Sequence, residues 1–314
     1  MLFRSLFSQF LGEHWAGKIS GFLKAAGEKR PDFIASHGQT VRHIPQFQKY
    51  LNGSRRGSLQ LGEAETIAKR LQTVAVSDFR SADVALGGSG APLMPYVHRY
   101  LFSSKKKVRG ILNIGGLANL TFLGRRTFWA ADTGVGNAFS DYLAQKFYRK
   151  PQDEKGRIAS VGKISPALLA DLKKNLFFAR PFPKSTGRED FSAGWLEKIL
   201  KRHRGLAHAD VLASTGALTA WGVAEALRRC GREKMDELYL AGGGAQNLFF
   251  LKQLQNLLPD VSLRPAGELG FPADFLEAAG FAVLGWWCLT GEPAGSRAVT
   301  GAQKRGVLGK ISQL

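Results

Sequence analysis

The sequence predicts an α/β protein that binds its ligands on loops at the carboxyl ends of strands, in a cleft between two lobes. Three observations carry this. Short apolar runs alternate with amphipathic ones along 314 residues, the pattern of strands alternating with helices. Five apolar runs end in polar or glycine loops, at 36–40, 78–83, 115–116, 132–137 and 242–247. Open α/β sheets present ligands at such strand ends. Hydrophobic content of 44% and charged content of 22% are those of a soluble globular chain, long enough for two domains.

Residues 1–29 carry Leu6, Phe10, Leu11, Ile19, Phe22, Leu23 and Ala26 at helical spacing, so the chain opens on a helix. Phe33-Ile34-Ala35 is a buried strand entering the polar loop Ser36 to Thr40, where His37 is either a ligand contact or a structural histidine. Glu63 to Leu71 reads as a helix, acidic at its start and basic at its end, as the helix dipole favours. Thr73 to Ser77 is a β-branched strand, followed by Asp78, Arg80, Asp83 and a glycine-rich loop, 87–92. Arg80 is suited to a bidentate grip on a carboxylate or phosphate. Its alternative is an ion pair with Asp78 or Asp83.

Lys105 to Arg109 is polar and marks the lobe junction, giving an N-terminal lobe 1–107 and a C-terminal lobe 108–314. Gly110 to Ile114, Gly115-Gly116, then Leu117 to Phe122 is a hairpin pattern. Its bare amides could also hold phosphate oxygens. Thr127 to Ala131 is a strand leading into Asp132-Thr133-Gly134-Val135-Gly136-Asn137, and a helix follows with Ala138, Phe139, Tyr142, Leu143 and Phe147 on one face. Gly134 and Gly136 permit a sharp turn and a close ligand. Asp132 is the candidate general base; its alternative is to cap the following helix.

Pro151 to Lys163 reads as a loop and 166–178 as helical. Residues 181–189 form a proline-set loop dense in hydrogen-bonding groups, and helices follow at 190–203 and 209–229. Glu237 to Ala241 is a strand running into Gly242-Gly243-Gly244, with a helix from Leu248 to Leu258. Strand, triple glycine and helix resemble a nucleotide-binding turn, although neither GxGxxG nor the P-loop pattern is met. A short strand, Val261 to Arg264, precedes a final helix from about Ala273 to Leu289, with Glu277 one turn inside it.

Net charge is +19 and the pI is about 10.2. The basic residues are scattered, with no arginine-rich arm or aromatic-basic repeat, so the charge reads as a solvated surface attractive to anionic small molecules. No nucleic-acid or membrane partner is expected. Two distant cysteines, Cys230 and Cys288, fit a reducing, cytoplasmic location.

The segments SHGQTVRHIP (36–45), DFRSADVALGGSGAPLMP (78–95), LNIGGLANLT (112–121), DTGVGNAFSD (132–141), PFPKSTGRE (181–189), AGGGAQN (241–247), ELGFPADFLEAAGFA (268–282) and VTGAQKRGVLG (299–309) closely resemble the anhydro-N-acetylmuramic acid kinase family. That family belongs to the actin, sugar kinase and Hsp70 superfamily. The resemblance implies a two-lobed actin-like ATPase fold with ribonuclease-H-like sheets. It implies an enzyme that opens the 1,6-anhydro ring of anhydro-N-acetylmuramic acid with water and transfers the ATP γ-phosphate to the freed 6-oxygen, in bacterial cell-wall recycling. Asp132 matches the family's catalytic base. Arg80, His37, Gln39, Thr40 and Glu277 fall where sugar contacts are expected. Asn113, Gly115, Gly116, Gly134 and Gly242 to Gly244 fall where ATP is held. Mg²⁺ would bridge the phosphates, with no ligands assigned, and a homodimer is suggested.

The family begins with a strand and a turn of the form MSGTSxDGxD that wraps the phosphates; no such stretch occurs here. Either the start codon is placed late or the gene is cut by a frameshift, or the chain is a remnant that binds the sugar but not ATP. As given, it is expected to have weak or absent kinase activity, and its first lobe to lack central strands and expose sheet edges.

Overall fold

The computed structural model describes residues 2–187, 189–271 and 275–314; Met1, Arg188 and residues 272–274 lie outside, and with them the expected helix start at Ala273. The chain forms α1 (Leu2–Ala25), β1 (Phe33–Ala35), β2 (Gln39–Tyr50), β3 (Gly53–Leu61), α2 (Ala64–Leu71), β4 (Val74–Ser77), α3 (Phe79–Ala85) and α4 (Met94–Phe102). Then come β5 (Arg109–Ile114), β6 (Leu117–Leu123), β7 (Phe128–Val135), α5 (Ala138–Tyr148), α6 (Arg157–Val161), α7 (Pro166–Lys173), α8 (Leu176–Ala179), α9 (Ala193–Leu200) and α10 (His208–Cys230). The remainder is β8 (Glu237–Ala241), α11 (Leu248–Leu257), β9 (Ser262–Pro265), α12 (Leu276–Thr290) and β10 (Lys310–Ser312).

Two compact units result: Met1–Val97 with Phe275–Leu314, and His98–Asp274. The division therefore falls inside α4, ten residues before the expected junction at 107/108, and the last forty residues belong with the first unit. Sequence order could not reveal this, because α12 packs on β1, far away along the chain: a Cβ on Gly285 would lie 2.8 Å from the Phe33 ring and 2.9 Å from the Ala35 methyl.

In the first unit, β1 pairs in parallel with β4, and β10 pairs antiparallel on β4's other side. Strand alternation sorts β1: Phe33 and Ala35 meet α12, while Ile34 joins the core of Ala64, Ile67, Ala68 and Ala75 under α2. Helix α1 docks through Ser8, whose hydroxyl and carbonyl accept the Gly62 and Glu63 amides at 3.1 and 3.0 Å. Gly62, at φ +119°, gives Trp15 the space it occupies; a Cβ there would stand 2.0 Å from the indole. Leu6, Phe10 and Phe22 remain exposed on α1. Strands β2 and β3 form a separate antiparallel hairpin with two register shifts.

The second unit carries a five-stranded sheet, order β7-β6-β5-β8-β9. Strands β5, β6 and β7 form an antiparallel meander; β8 and β9 run parallel to β5. This is the ribonuclease-H-like sheet that the resemblance implied. Phe139, Leu143 and Ala144 of α5, Leu168 and Leu172 of α7, and Val211, Leu212 and Leu218 of α10 share one buried core with Val135. Helix α10 lies close on β7: a Cβ on Gly222 would come within 2.5 Å of the Thr133 carbonyl. The stretch expected as a loop at 151–163 contains α6, whose Ile158 and Ala159 amides are capped by the Asp153 carboxylate at 2.7 and 3.0 Å.

Candidate active site

Within each unit the glycine and polar loops sit at one end of its sheet. The loops after β1 and β4 follow parallel strands, and so do those after β5, β7 and β8.

Asp132 is not on a turn. Strand β7 runs on to Val135, past Asp132, and the pairing shifts between Asn119↔Asp132 and Ala118↔Gly134, leaving Thr133 as an extra residue. Gly134, at φ +135°, makes the bulge possible. Nor does Asp132 cap α5, whose N-cap is Asn137. The Asp132 backbone N–H donates to the Lys184 carbonyl (3.0 Å), and its Oδ2 accepts the Thr186 amide (2.7 Å). Its other oxygen takes no hydrogen bond among the described residues. Burial pushes its pKa up to about 6, against the pull of the Thr186 amide.

The loop that meets Asp132 is itself fastened. Thr186 Oγ1 donates to Asp190 Oδ2 (2.7 Å), which also accepts from Arg180 Nη1 (2.7 Å). Lys184 Nζ donates to the Phe177 and Phe178 carbonyls at 3.2 and 3.3 Å and lies 4.2 Å from the Phe177 ring centre. Burial and nearby Arg229 bring that ammonium down to about 8.

Register aligns a polar row across the sheet: Asp132 opposite Asn119, Asn119 opposite Asn113, Asn113 opposite Ala241. Directly opposed residues point to the same face. Beyond the first residue of each strand, the three polar ones are the positions of β5, β6 and β7 that water reaches. Beside them, the Gly115-Gly116 turn is stapled to the start of α5: the Gly115 carbonyl accepts the Asn137 amide (2.8 Å), and the Gly116 carbonyl accepts those of Gly136 (2.9 Å) and Ala138 (3.1 Å). The Gly115 amide is spent on the Leu117 carbonyl. Of the two amides expected to be bare, only that of Gly116 has no acceptor among the described residues.

Gly242, at φ +77°, leaves β8 beneath Asn113 and Ile114; a Cβ there would lie 2.6 Å from Asn113 Oδ1 and from the Ile114 carbonyl. Gly244 is as tight against the Ile114 side chain, at 2.2 Å, whereas Gly243 has its nearest neighbour 3.8 Å away. A cavity of about 630 Å³ opens beside this turn, lined by Gly242, Gly243, Gln246, Lys252, Gln255 and Arg264 among others. Its size is that of a small-ligand site. Lys252 and Gln255, missed from the sequence, stand with Leu248 and Leu251 at the i, i+3, i+4, i+7 spacing that marks one face of α11.

In the first unit the expected sugar contacts converge in part. Arg80 Nε donates to His37 Nε2 (2.9 Å) and Arg80 Nη1 to the Gly90 carbonyl (2.8 Å). Among the described residues no ion pair joins Arg80 to Asp78 or Asp83. Asp78 is held by Lys310 (2.6 Å), and Asp83 accepts from Thr300 and the Gly90 amide, each at 2.8 Å. Glu277 acts electrostatically on Arg80. Glu277 lies in the first turn of α12. The His37 ring rests 4.7 Å from that of Phe281 on the same helix, and burial with nearby Arg80 brings its pKa down to about 4. Thr40 accepts from Gln60 (3.2 Å). The exposed Gln39 side chain bonds, among the described residues, only the neighbouring Thr40 carbonyl, so it stands apart from this group.

Fold and turns together define an α/β protein with glycine and polar turns at the carboxyl ends of its parallel strands. Comparison makes this specific. The sequence profile described as anhydro-N-acetylmuramic acid kinase matches residues 5–313, and the chain belongs to that family. Its sequence is 39% identical over 312 residues to the anhydro-N-acetylmuramic acid kinase of Salinibacter ruber, covering 96% of this chain and 79% of that one. It is 37% identical to that of Shewanella amazonensis (95% and 80% covered) and 40% identical to that of Pseudomonas syringae pv. tomato (88% and 74%). Among solved structures, the (R)-2-hydroxyglutaryl-CoA dehydratase component A of Acidaminococcus fermentans aligns at 15% identity with a TM-score of 0.40, over 68% of each chain, a likeness too faint to bear on the site.

Proposed function

We propose that this protein is an ATP-dependent kinase that hydrolyses the 1,6-anhydro bridge of anhydro-N-acetylmuramic acid and phosphorylates the freed 6-oxygen, yielding N-acetylmuramate 6-phosphate and ADP. The observation that carries the reading is the state of Asp132: one oxygen fixed by the Thr186 amide, the other unbonded, and a pKa of about 6. Such a carboxylate is ionised at neutral pH and basic enough to take a proton from water. In this reading the water oxygen bonds to the anomeric carbon as its proton passes to Asp132. The bond from that carbon to O6 breaks, and O6 takes the phosphoryl group as ADP departs. In-line arrangement of O6 and phosphorus makes positioning the main catalytic term.

Gly242 to Gly244 would let the adenosine approach the backbone beside the 630 Å³ cavity. Asn113, Gly115, Gly116 and Gly134 would border the phosphates. Arg80, His37, Thr40 and Glu277 would hold the sugar, Arg80 supplying the charge suited to its lactyl carboxylate. Mg²⁺ bound with ATP would supply neutralisation of the charge on the transferring group. Both cysteines are free, in keeping with a cytoplasmic place in cell-wall recycling; a homodimer is the assembly the family suggests.

The test is product analysis. Incubating the protein with ATP, Mg²⁺ and the anhydro sugar should release ADP and a 6-phosphorylated reducing sugar, in place of the weak or absent activity expected from the sequence alone. ADP release without the sugar phosphate would sink the reading.

A further inference from the structure

Gln60 lies near the end of β3. Its Nε2 donates to two hydroxyls, Ser58 Oγ (2.7 Å) and Thr40 Oγ1 (3.2 Å). Its Oε1 is buried and accepts nothing. A buried amide oxygen without a donor is costly, and native folds keep very few.

The position of this oxygen gives the orphan a meaning. Gly38, at φ +77°, brings the turn after β1 against Gln60: a Cβ on Gly38 would stand 3.1 Å from Gln60 Cβ and 2.9 Å from the Leu61 carbonyl. His37, one residue back, is bonded to Arg80. Ser58 is bonded in turn to His43 Nδ1 (3.1 Å), whose pKa burial and Arg80 both lower. Gln60, Thr40, Ser58 and His43 thus form one hydrogen-bonded group, the Gly38 turn packs it beside the separate His37–Arg80 pair, and among the described residues Gln60 Oε1 is its buried acceptor left unmet.

We propose that Gln60 Oε1 accepts a hydrogen bond from the bound sugar and sets specificity for it. The inference rests on the assignment of this group to sugar binding and names the part of the sugar it reads. Anhydro-N-acetylmuramic acid at neutral pH has two hydrogen-bond donors, the C4 hydroxyl and the acetamide N–H; its other polar atoms are acceptors. One of these two meets Gln60.

Calorimetric titration of the full chain decides it. The ligands are the anhydro sugar, its 4-deoxy analogue and its N-methylacetamide analogue; the proteins are the unchanged chain, Gln60→Leu and Gln60→Glu. The expected Kd for the sugar rises roughly ten- to hundredfold in Gln60→Leu and is partly recovered in Gln60→Glu, which keeps an acceptor. One analogue should bind the unchanged protein more weakly by a similar factor and lose nothing further in Gln60→Leu. If Gln60→Leu binds the sugar as tightly as the unchanged protein, the inference is wrong and the sugar site stands. Failure of the unchanged protein to bind the sugar overturns the site assignment and this inference together. Should a variant not fold, the two analogues on the unchanged protein still decide, because equal binding of both and of the sugar rules out a donor to Gln60.

Discussion

Asp132 and Thr186 are separated by 54 residues, yet the Thr186 amide stands 2.7 Å from Asp132 Oδ2. A proline-set loop thereby fixes one oxygen of a desolvated carboxylate and leaves the other unengaged. The first consequence is kinetic. With a pKa of about 6, Asp132 is a base above that pH and a neutral acid below it. The rate of sugar phosphorylation should therefore fall tenfold per pH unit below about 6 and level off above it. A rate independent of pH between 4 and 7 would remove Asp132 as the base.

The second consequence concerns stability. A carboxyl group whose folded pKa lies above the unfolded value of 3.8 binds its proton more tightly when folded. Its ionisation therefore costs stability, fully above about pH 6 and not at all below about 3.8. Asp132→Asn keeps an acceptor for the Thr186 amide and removes the charge. It should melt higher than the unchanged protein at pH 7, reflecting a stability gain of about 3 kcal/mol. The gain should vanish as pH approaches 4. Melting curves at both pH values check it.

His37 should remain neutral through the physiological range, its pKa being brought down to about 4. Nε2 accepts from Arg80, so the proton must sit on Nδ1. Nitrogen-resolved NMR should report that tautomer from pH 8 to pH 5. The sign of the linkage follows: below 6.5 the unfolded ring takes a proton that the folded one refuses. This part of the molecule should therefore lose stability as pH falls from 6.5 toward 4.

The glycine turn separates structural from ligand roles. A methyl on Gly242 would strike Asn113 and Ile114 at 2.6 Å, on a backbone at φ +77°. Gly242→Ala should lower both melting temperature and nucleotide affinity. A methyl on Gly243 meets nothing closer than 3.8 Å. Gly243→Ala should fold normally and still weaken ATP binding about tenfold or more, as the methyl occupies space meant for ligand. Parallel melting and ATP titration distinguish them.

The elements with a strong local signal were legible in the sequence. Strands β1, β4, β5, β6 and β8 are short apolar runs, and α5 and α10 carry clear apolar faces. Four features were not legible, for physical reasons. The β2–β3 hairpin is polar along most of both strands, so no alternation announces it. Gly134 after Asp132 reads as a turn, because only pairing with β6 distinguishes a bulge from a turn. The Asp132–Thr186 bond and the packing of α12 on β1 are long-range, and spacing along a chain carries no trace of them. Within the candidate site, Asp132, Arg80 and the glycine turns could be named from residue type and context. Gln60, Asn119 and Lys252 owe their places to register and helix face.

The central claim is that Asp132 takes the proton from the attacking water. The most direct measurement compares the unchanged chain with Asp132→Asn for ATP-dependent formation of N-acetylmuramate 6-phosphate at pH 7.5, after circular dichroism has shown both to be folded. The account requires the variant to lose on the order of 10²–10⁴-fold in turnover while binding ATP and sugar as before. Equal turnover by the two proteins would contradict it.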